Sequence, residues 1–338
     1  MCMSKKGVSI IIPCHNDARF LREAIESVYA QNTSLPFEII VIDDGSTDDG
    51  SVAENTKEIL DDVRADYPDV RLYRYEESHG PANARNLGLS LAQYDYIFPL
   101  DADNKLEIDP NILGDEGGYM DRAVAKLEND PDTVLVHCQG RLFDGASGRW
   151  RLNDYDEKRI LTRNMIDTHA IYRRKEARVI GGYNIKQPYA EDWDFAVAMI
   201  NERIKNNRPA RVHKVRDPLF CYRIRKDQNN FSARGNTEER RLFVNLVNRS
   251  PEIYQRHYPH CKSRYTLIDT LMQKSMADRV RFHLGRAFNP MAWGQLVKEM
   301  PTRIRSASQR LSGIRPPKST AEISKQEKAF RRQDSRAP

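Results

Sequence analysis

Four short apolar runs, Val8–Pro13, Phe37–Ile42, Val70–Tyr75 and Tyr94–Leu100, recur early in the chain with helix-length segments between them. Each is rich in β-branched and aromatic residues, the composition of a strand buried on both faces. Between the first two, Leu21, Ala24, Ile25, Val28 and Tyr29 fall on one face of a helix. Helices are also expected from Ser51 to about Tyr67 and from Gly80-Pro81 through Leu91. Strands alternating with helices specify an α/β fold: a mostly parallel sheet wound with helices.

The ends of the runs carry the chemistry. Tyr96–Leu100 stops abruptly at Asp101-Ala102-Asp103, and Phe37–Ile42 stops at Asp43-Asp44-Gly45-Ser46-Thr47-Asp48. In open α/β sheets, ligands bind at the carboxyl ends of the strands. Two carboxylates separated by one small residue repel unless a cation joins them, and Mg²⁺ is usually held by one or two carboxylates plus substrate phosphates. A solvated acidic turn would give the same Asp-Ala-Asp string, and Asp44-Gly45-Ser46 is also good turn chemistry. Two such loops on one edge suit a nucleotide diphosphate, which needs a metal for its phosphates and an acceptor for a base N–H such as that of uracil. No G-x-G-x-x-G follows the first strand and no G-x-x-x-x-G-K-[ST] occurs, so a dinucleotide Rossmann site and a P-loop are disfavoured.

Val8-Ser-Ile-Ile-Ile-Pro-Cys-His-Asn16, Ile40-Val-Ile-Asp-Asp-Gly-Ser-Thr-Asp48, Gly80-Pro-Ala-Asn-Ala-Arg-Asn-Leu-Gly88, Asp101-Ala-Asp103 and Glu191-Asp-Trp-Asp194 occur in that order. Together they resemble family 2 glycosyltransferases of GT-A fold, over about residues 7–225. The resemblance implies an inverting transfer of a single sugar from a nucleotide-sugar, usually a UDP-sugar, to a hydroxyl of a glycan, lipid-linked or other acceptor. Mn²⁺ or Mg²⁺ is the implied cofactor. By position, Pro13 and Asn16 line the nucleotide pocket, Asp43 or Asp44 holds the base, and Arg85 lies against the nucleotide. Asp101 faces the ribose and sugar and Asp103 ligates the metal with it. Asp192 is the implied general base, with Glu191 and Trp193 toward the acceptor. Pro218–Arg225 resembles the closing strand of the family, but Arg225 stands where a metal-side histidine is usual. A guanidinium cannot ligate a metal, although it can grip a diphosphate with two N–H groups.

The implied organisation is a catalytic domain at 1–230, with a nucleotide-binding half to residue 110 and an acceptor-binding half from 111. A helical extension at 231–300 and a basic, flexible tail at 301–338 follow. Pro301–Pro338 holds ten Lys/Arg and three Asp/Glu, a net +7 against +6 for the whole chain, so the body is near neutral and no nucleic-acid partner is indicated. The tail is instead a candidate for peripheral contact with an anionic membrane. Five scattered cysteines, no apolar stretch near the ~20 residues of a span, and no signal-like N-terminus point to the cytoplasm. The absence of Q-x-x-R-W favours single transfer over processive synthesis. A sugar-nucleotide pyrophosphorylase is the alternative enzyme class, although Pro13-Cys-His-Asn16 lacks that class's glycine-rich basic loop. A nucleotide-binding protein without catalysis is the third reading.

Overall fold

The computed structural model describes residues 5–31, 33–47, 56–150, 152–187, 189–225 and 238–286. Strands β1 (Val8–Cys14), β2 (Phe37–Asp43), β3 (Arg71–Arg74) and β4 (Tyr96–Pro99) pair in parallel, in the spatial order 3-2-1-4. Helices α1 (Ala18–Tyr29), α2 (Thr56–Asp66) and α3 (Pro81–Leu91) are the crossovers that parallel pairing requires. The short β5 (Lys105–Leu106) leads through α4 (Pro110–Leu113) to α5 (Tyr119–Asn129), and then to β6 (Thr133–Asp144) and β7 (Gly148–Trp150). β8 (Ile171–Arg173), α6 (Arg174–Val179), α7 (Glu191–Lys205) and β9 (Arg211–Ile224) complete the sheet. Beyond β4 the order is 8-6-9-5; β8 runs antiparallel to β4 and β6, β9 parallel to β6, and β7 folds back on β6.

Strand alternation sends neighbouring side chains into two cores. Ile10 and Ile12 join Leu21 and Ile25 of α1 and Met120 and Val124 of α5 on one face. Ile11 faces the other way, with Ala84 and Leu89 of α3 and Phe195 and Ile200 of α7. The helices that follow, α8 (Glu239–Arg249), α9 (Pro251–His257) and α10 (Arg264–Arg286), join this second core through Phe243, Leu246, Tyr254 and Ile268. The first compact unit accordingly runs to Asp278; of the second, Arg279–Pro338, only the helical residues 279–286 are described. The expected boundary at residue 230 and the basic tail lie outside the described residues. No helix among the described residues is long and apolar enough to cross a membrane.

The second half departs from the local expectation. β6 runs on through Gly140 to Asp144 beside β9, which starts at Arg211 rather than Pro218. Register shifts at Cys138, Gln139 and Gly140 absorb the residues that look like strand breakers. Two pieces, β5 and α9, are short elements that the local pattern does not announce.

Gly88 sets how closely α3 lies on the sheet. A Cβ there would stand 2.3 Å from Ile11 Cγ2, a stiff, fully buried side chain. Gly88→Ala is therefore expected to lose roughly 1–3 kcal/mol through overpacking, despite the better helix propensity of alanine. Urea denaturation measures it; an unchanged midpoint would mean that α3 can move away from β1 at little cost.

Candidate active site

The carboxyl ends of β1, β2 and β4 lie side by side, with Cys14 opposite Asp43 in the ladder. Pro13, paired with Ile42, lies near the carboxyl end of β1, and the chain passes through buried Cys14 to Asn16. Asn16 takes a left-handed conformation, φ 55°, which asparagine tolerates. Its N–H donates to Ser46 Oγ at 2.9 Å and its side-chain oxygen accepts from Thr47 N at 2.9 Å, tying the β1 loop to the β2 loop.

The paired acids of the β2 loop have separate partners. Asp43 is fully buried; its Oδ1 accepts from Ser46 N and Oγ, and its Oδ2 faces Arg74 Nε at 3.3 Å. Asp44 accepts from His79 N at 2.9 Å and from Ser78 Oγ and Gly80 N at 2.8 Å each, so it anchors the entry to α3. Gly45 follows them at φ 63°, where a Cβ would meet the Glu77 backbone at 2.4 Å. A carboxylate offers about four lone-pair sites, so these contacts leave Asp44 able to accept one more hydrogen bond.

Arg85 is the link between the two halves. Its guanidinium is buried and donates to Asp101 Oδ1 at 2.7 Å and to Glu191 Oε1 at 2.5 Å, with the Tyr183 ring 5.6 Å away. Burial opposes its charge, but Asp101 and Glu191 more than offset this and raise its pKa. Burial would also raise the Asp101 carboxyl; Arg85, followed by His169, holds it below the usual range. The second acid of the loop behaves differently. Asp103 is raised, chiefly by burial and then by Asp101, although Arg225 opposes the shift.

Two arginines near the end of β9 hold Asp103. Arg223 donates from Nε to the Asp103 carbonyl at 2.8 Å, and its backbone N–H donates to Asn104 Oδ1 at 2.9 Å. Arg225 donates from Nε to Asp103 Oδ2 at 2.9 Å, and its Nη2 contacts the same oxygen at 2.8 Å and Asp17 Oδ2. The donor set fits a divalent cation in one way. Arg85 occupies Oδ1 of Asp101 and Arg225 occupies Oδ2 of Asp103, so each carboxylate keeps its other oxygen clear of those arginines. No group of three or more His, Cys, Asp or Glu among the described residues could hold a metal by itself. Phosphate and water oxygens would have to complete the shell, as is usual for Mg²⁺.

The three acids opening α7 share a helical turn and differ in fate. Ala190, at φ 56°, swings the chain into the helix. Asp192 Oδ1 accepts from Trp193 N at 2.8 Å, and Oδ2 accepts from Asn164 Nδ2 at 3.0 Å and lies 3.4 Å from Thr168 Oγ1. It borders a pocket lined by Ile166, Ala170, Tyr172 and Phe195. Burial first, then the charges of Glu191 and Asp167, push its pKa up to about 7. Asp194 is fully buried and paired with Arg249. Trp193 corrects the expectation of an acceptor-stacking ring: it is buried, donates from Nε1 to the Ile160 carbonyl at 2.6 Å, and packs edge-on against Phe243.

A model for the glycosyl transferase family 2 domain matches residues 9–181, half of the chain. The chain belongs to glycosyltransferase family 2. It is 45% identical over 143 residues to an uncharacterized glycosyltransferase of Rickettsia felis, a match covering 41% of this chain and 22% of that protein. It is 35% identical over 107 residues to the poly-beta-1,6-N-acetyl-D-glucosamine synthase of Staphylococcus epidermidis, 31% of this chain and 23% of that one. The match thus spans about a fifth of these relatives. Among solved structures, Staphylococcus aureus TarS 1–349 in complex with UDP-GlcNAc aligns at TM-score 0.53 and 16% identity over 80% of each chain. The mannosyltransferase PcManGT of Pyrobaculum calidifontis, in complex with GDP-Man and Mn²⁺, aligns at 0.51 and 18% identity over 88% of this chain and 80% of that one. These neighbours establish the GT-A fold.

Around this site, the structure adds residues that the motifs do not name. Asp17 looks like a cap for α1, yet makes no side-chain cap bond and instead receives Arg225. Asn164, Asp167 and Thr168 surround Asp192 from the β8 approach, a stretch with no motif of its own. His169, close behind them, is buried with Nδ1 against Asp167 and its ring over Phe220.

The raised Asp192 pKa has a measurable sign. An unfolded aspartate titrates near 3.9, so the neutral acid favours the fold. That contribution is complete below about pH 4 and lost as the pH rises through about 7. Asp192→Asn cannot ionise, and should exceed wild-type stability at pH 8 by on the order of 2 kcal/mol, with little difference at pH 4. Asp194→Asn should instead cost roughly 3 kcal/mol at neutral pH, because it strips the charge partner from half-buried Arg249. Urea melts at both pH values decide; two variants with the same sign at pH 8 would refute the separation.

Proposed function

We propose that this family 2 enzyme is an inverting glycosyltransferase, moving a single sugar from a nucleotide-sugar, UDP-linked in the first instance, to a hydroxyl of a glycan or lipid-linked acceptor. The observation that carries the reading is Asp192: a carboxylate in a partly apolar pocket, poised near neutral pH and next to Glu191, which Arg85 joins to Asp101. TarS in complex with UDP-GlcNAc and PcManGT in complex with GDP-Man support a nucleotide-sugar donor.

In this mechanism the Asn16–Ser46–Thr47 bonds close the floor of the nucleotide pocket, and Asp44 or Asp43 accepts from the base. Asp101, held by Arg85, orients the ribose and donor sugar. Asp192 takes the proton of the acceptor hydroxyl as that oxygen attacks the anomeric carbon from the face opposite the diphosphate. Asn164 and Trp193 N fix the carboxylate while it does so. A carboxylate titrating near the working pH is best placed for this transfer. Asp103 and Asp101 would hold a divalent cation, Mn²⁺ or Mg²⁺, which would supply charge stabilisation to the diphosphate leaving group. Inversion follows from one displacement.

Four measurements test the reading. A panel of UDP-, GDP- and dTDP-sugars, scored for hydrolysis and transfer, should show turnover with at least one; none with any would leave a binding protein. Asp192→Asn is expected to lower kcat by about 10²–10⁴ with donor affinity nearly unchanged. The wild-type kcat/KM should rise with pH to a plateau above about 7, since the ionised carboxylate is the active form. Asp103→Asn should abolish most of the metal dependence of UDP binding, read by calorimetry with and without EDTA. Equal UDP affinity in all four conditions would remove the cation from the mechanism.

A further inference from the structure

We propose that Arg225 is an internal counter-ion for the metal-side carboxylate, occupying Asp103 when no donor is bound and passing to the diphosphate when one arrives. The proposal rests on the donor reading above and concerns what this chain does differently at that site.

The geometry points to Arg225 rather than to its neighbour. Arg223 has structural partners of its own: Asp144 at 3.0 Å, Glu23, and the rings of Phe20 and Phe143 at 4.3 Å each. Its only bond to Asp103 is through the backbone carbonyl. Arg225 has a different set. Among the described residues, its ion-pair partners, Asp103 and Asp17, are both carboxylates on the rim of the site, and its ring contact, Phe20, is 5.4 Å away. Its side chain is 13% exposed and those of Asp17 and Asp103 are 21% and 22%, so the three sit at the boundary where a ligand's charge would reach them.

The charges explain why such a counter-ion is needed. Asp17 and Asp103 each contribute to the crowding that Arg225 relieves, and Asp101 adds to the repulsion on Asp103. A free divalent cation meeting this site must share Asp103 with a guanidinium that already grips it through two nitrogens. A diphosphate changes the competition, because its oxygens are charged acceptors that suit the guanidinium fork. Once Arg225 turns to those oxygens, Asp103 is released. Cation and nucleotide then strengthen each other's binding by a common factor, as linkage demands. Part of that factor comes from direct contact between cation and phosphate; the remainder is what Arg225 adds.

Mn²⁺ binding followed by electron paramagnetic resonance, without nucleotide and with saturating UDP, separates the two parts. Wild type should bind Mn²⁺ weakly alone and much more tightly with UDP. Arg225→Gln should bind Mn²⁺ alone about tenfold more tightly than wild type, and UDP more weakly in the presence of Mn²⁺, so that the coupling factor shrinks. Arg225→Lys guards against a folding artefact: keeping the charge, it should hold the affinity for Mn²⁺ alone within about threefold of wild type while losing part of the UDP affinity. The proposal is overturned if Arg225→Gln leaves the affinity for Mn²⁺ alone unchanged or weaker, or if Arg225→Lys binds Mn²⁺ alone as tightly as Arg225→Gln. Wild type that binds neither UDP nor GDP with Mn²⁺ present overturns the donor reading itself, an outcome distinct from either of these.

Discussion

A buried guanidinium holds this site together. Arg85 comes from α3, Asp101 from the loop after β4, and Glu191 from the first turn of α7, three elements distant in sequence. Removing an ion of that size from water costs several kcal/mol even after relaxation, and only close pairing with hydrogen bonds repays it. Arg85 meets that condition on both Nη atoms, while its Nε has no hydrogen-bond partner among the described residues. An apolar replacement of the whole triad could be as stable, so stability is a poor account of why an ion sits here. Geometry is a better one. The bridge fixes the sheet loop that carries Asp101 relative to the helix that carries Glu191 and Asp192.

The same low-dielectric setting sorts the acids by the partners they find. Asp101, with Arg85 against it, is held below the usual carboxylate range, whereas Asp103 and Asp192 are raised by burial and by neighbouring negative charge. Environments that drive similar groups apart are how one site assigns different tasks to chemically identical side chains. Asp194 shows the limit of that logic. It too is raised by burial, but it lies in the core with Arg249 and so serves the docking of α8 on α7.

Much of the first hundred residues is legible in the sequence because strand burial, helix periodicity and loop chemistry agree there. The ends of β1, β2 and β4 come within a residue or so of the apolar runs that announce them. The second half of the sheet is less legible for a definite reason. β6 and β9 are long because they support each other across a large sequence separation, and β5 exists only as a partner of β9. Trp193 misleads for a related reason. On a helix covered on one side only, a tryptophan beside Glu191 and Asp192 could face the site; here α8 and α9 cover the far side of α7 and turn that ring into the core. Nor could the Asp43-Asp44 dipeptide reveal which acid anchors Ser46 and which anchors the α3 entry, because the partners that fix Asp44 lie more than 30 positions away.

The position of Asp192 at a helix N-terminus carries a tension that the structure resolves. The macrodipole favours negative charge in the first turn by roughly 0.3–1 kcal/mol, which would lower a carboxyl pKa. Trp193 N and Asn164 also favour the anion. Burial beside Phe195 and Tyr172, with Glu191 and Asp167 nearby, works in the opposite direction and prevails. A carboxylate with only the first set of influences would stay ionised and be a weak base; one with only the second would stay protonated and be no base at all. Both sets are assembled at one residue by Ala190, whose left-handed backbone costs of order 1–2 kcal/mol in an L-residue other than glycine or asparagine. That strain turns the chain so that Glu191 reaches Arg85, Asp192 the pocket and Asp194 the core within a single helical turn.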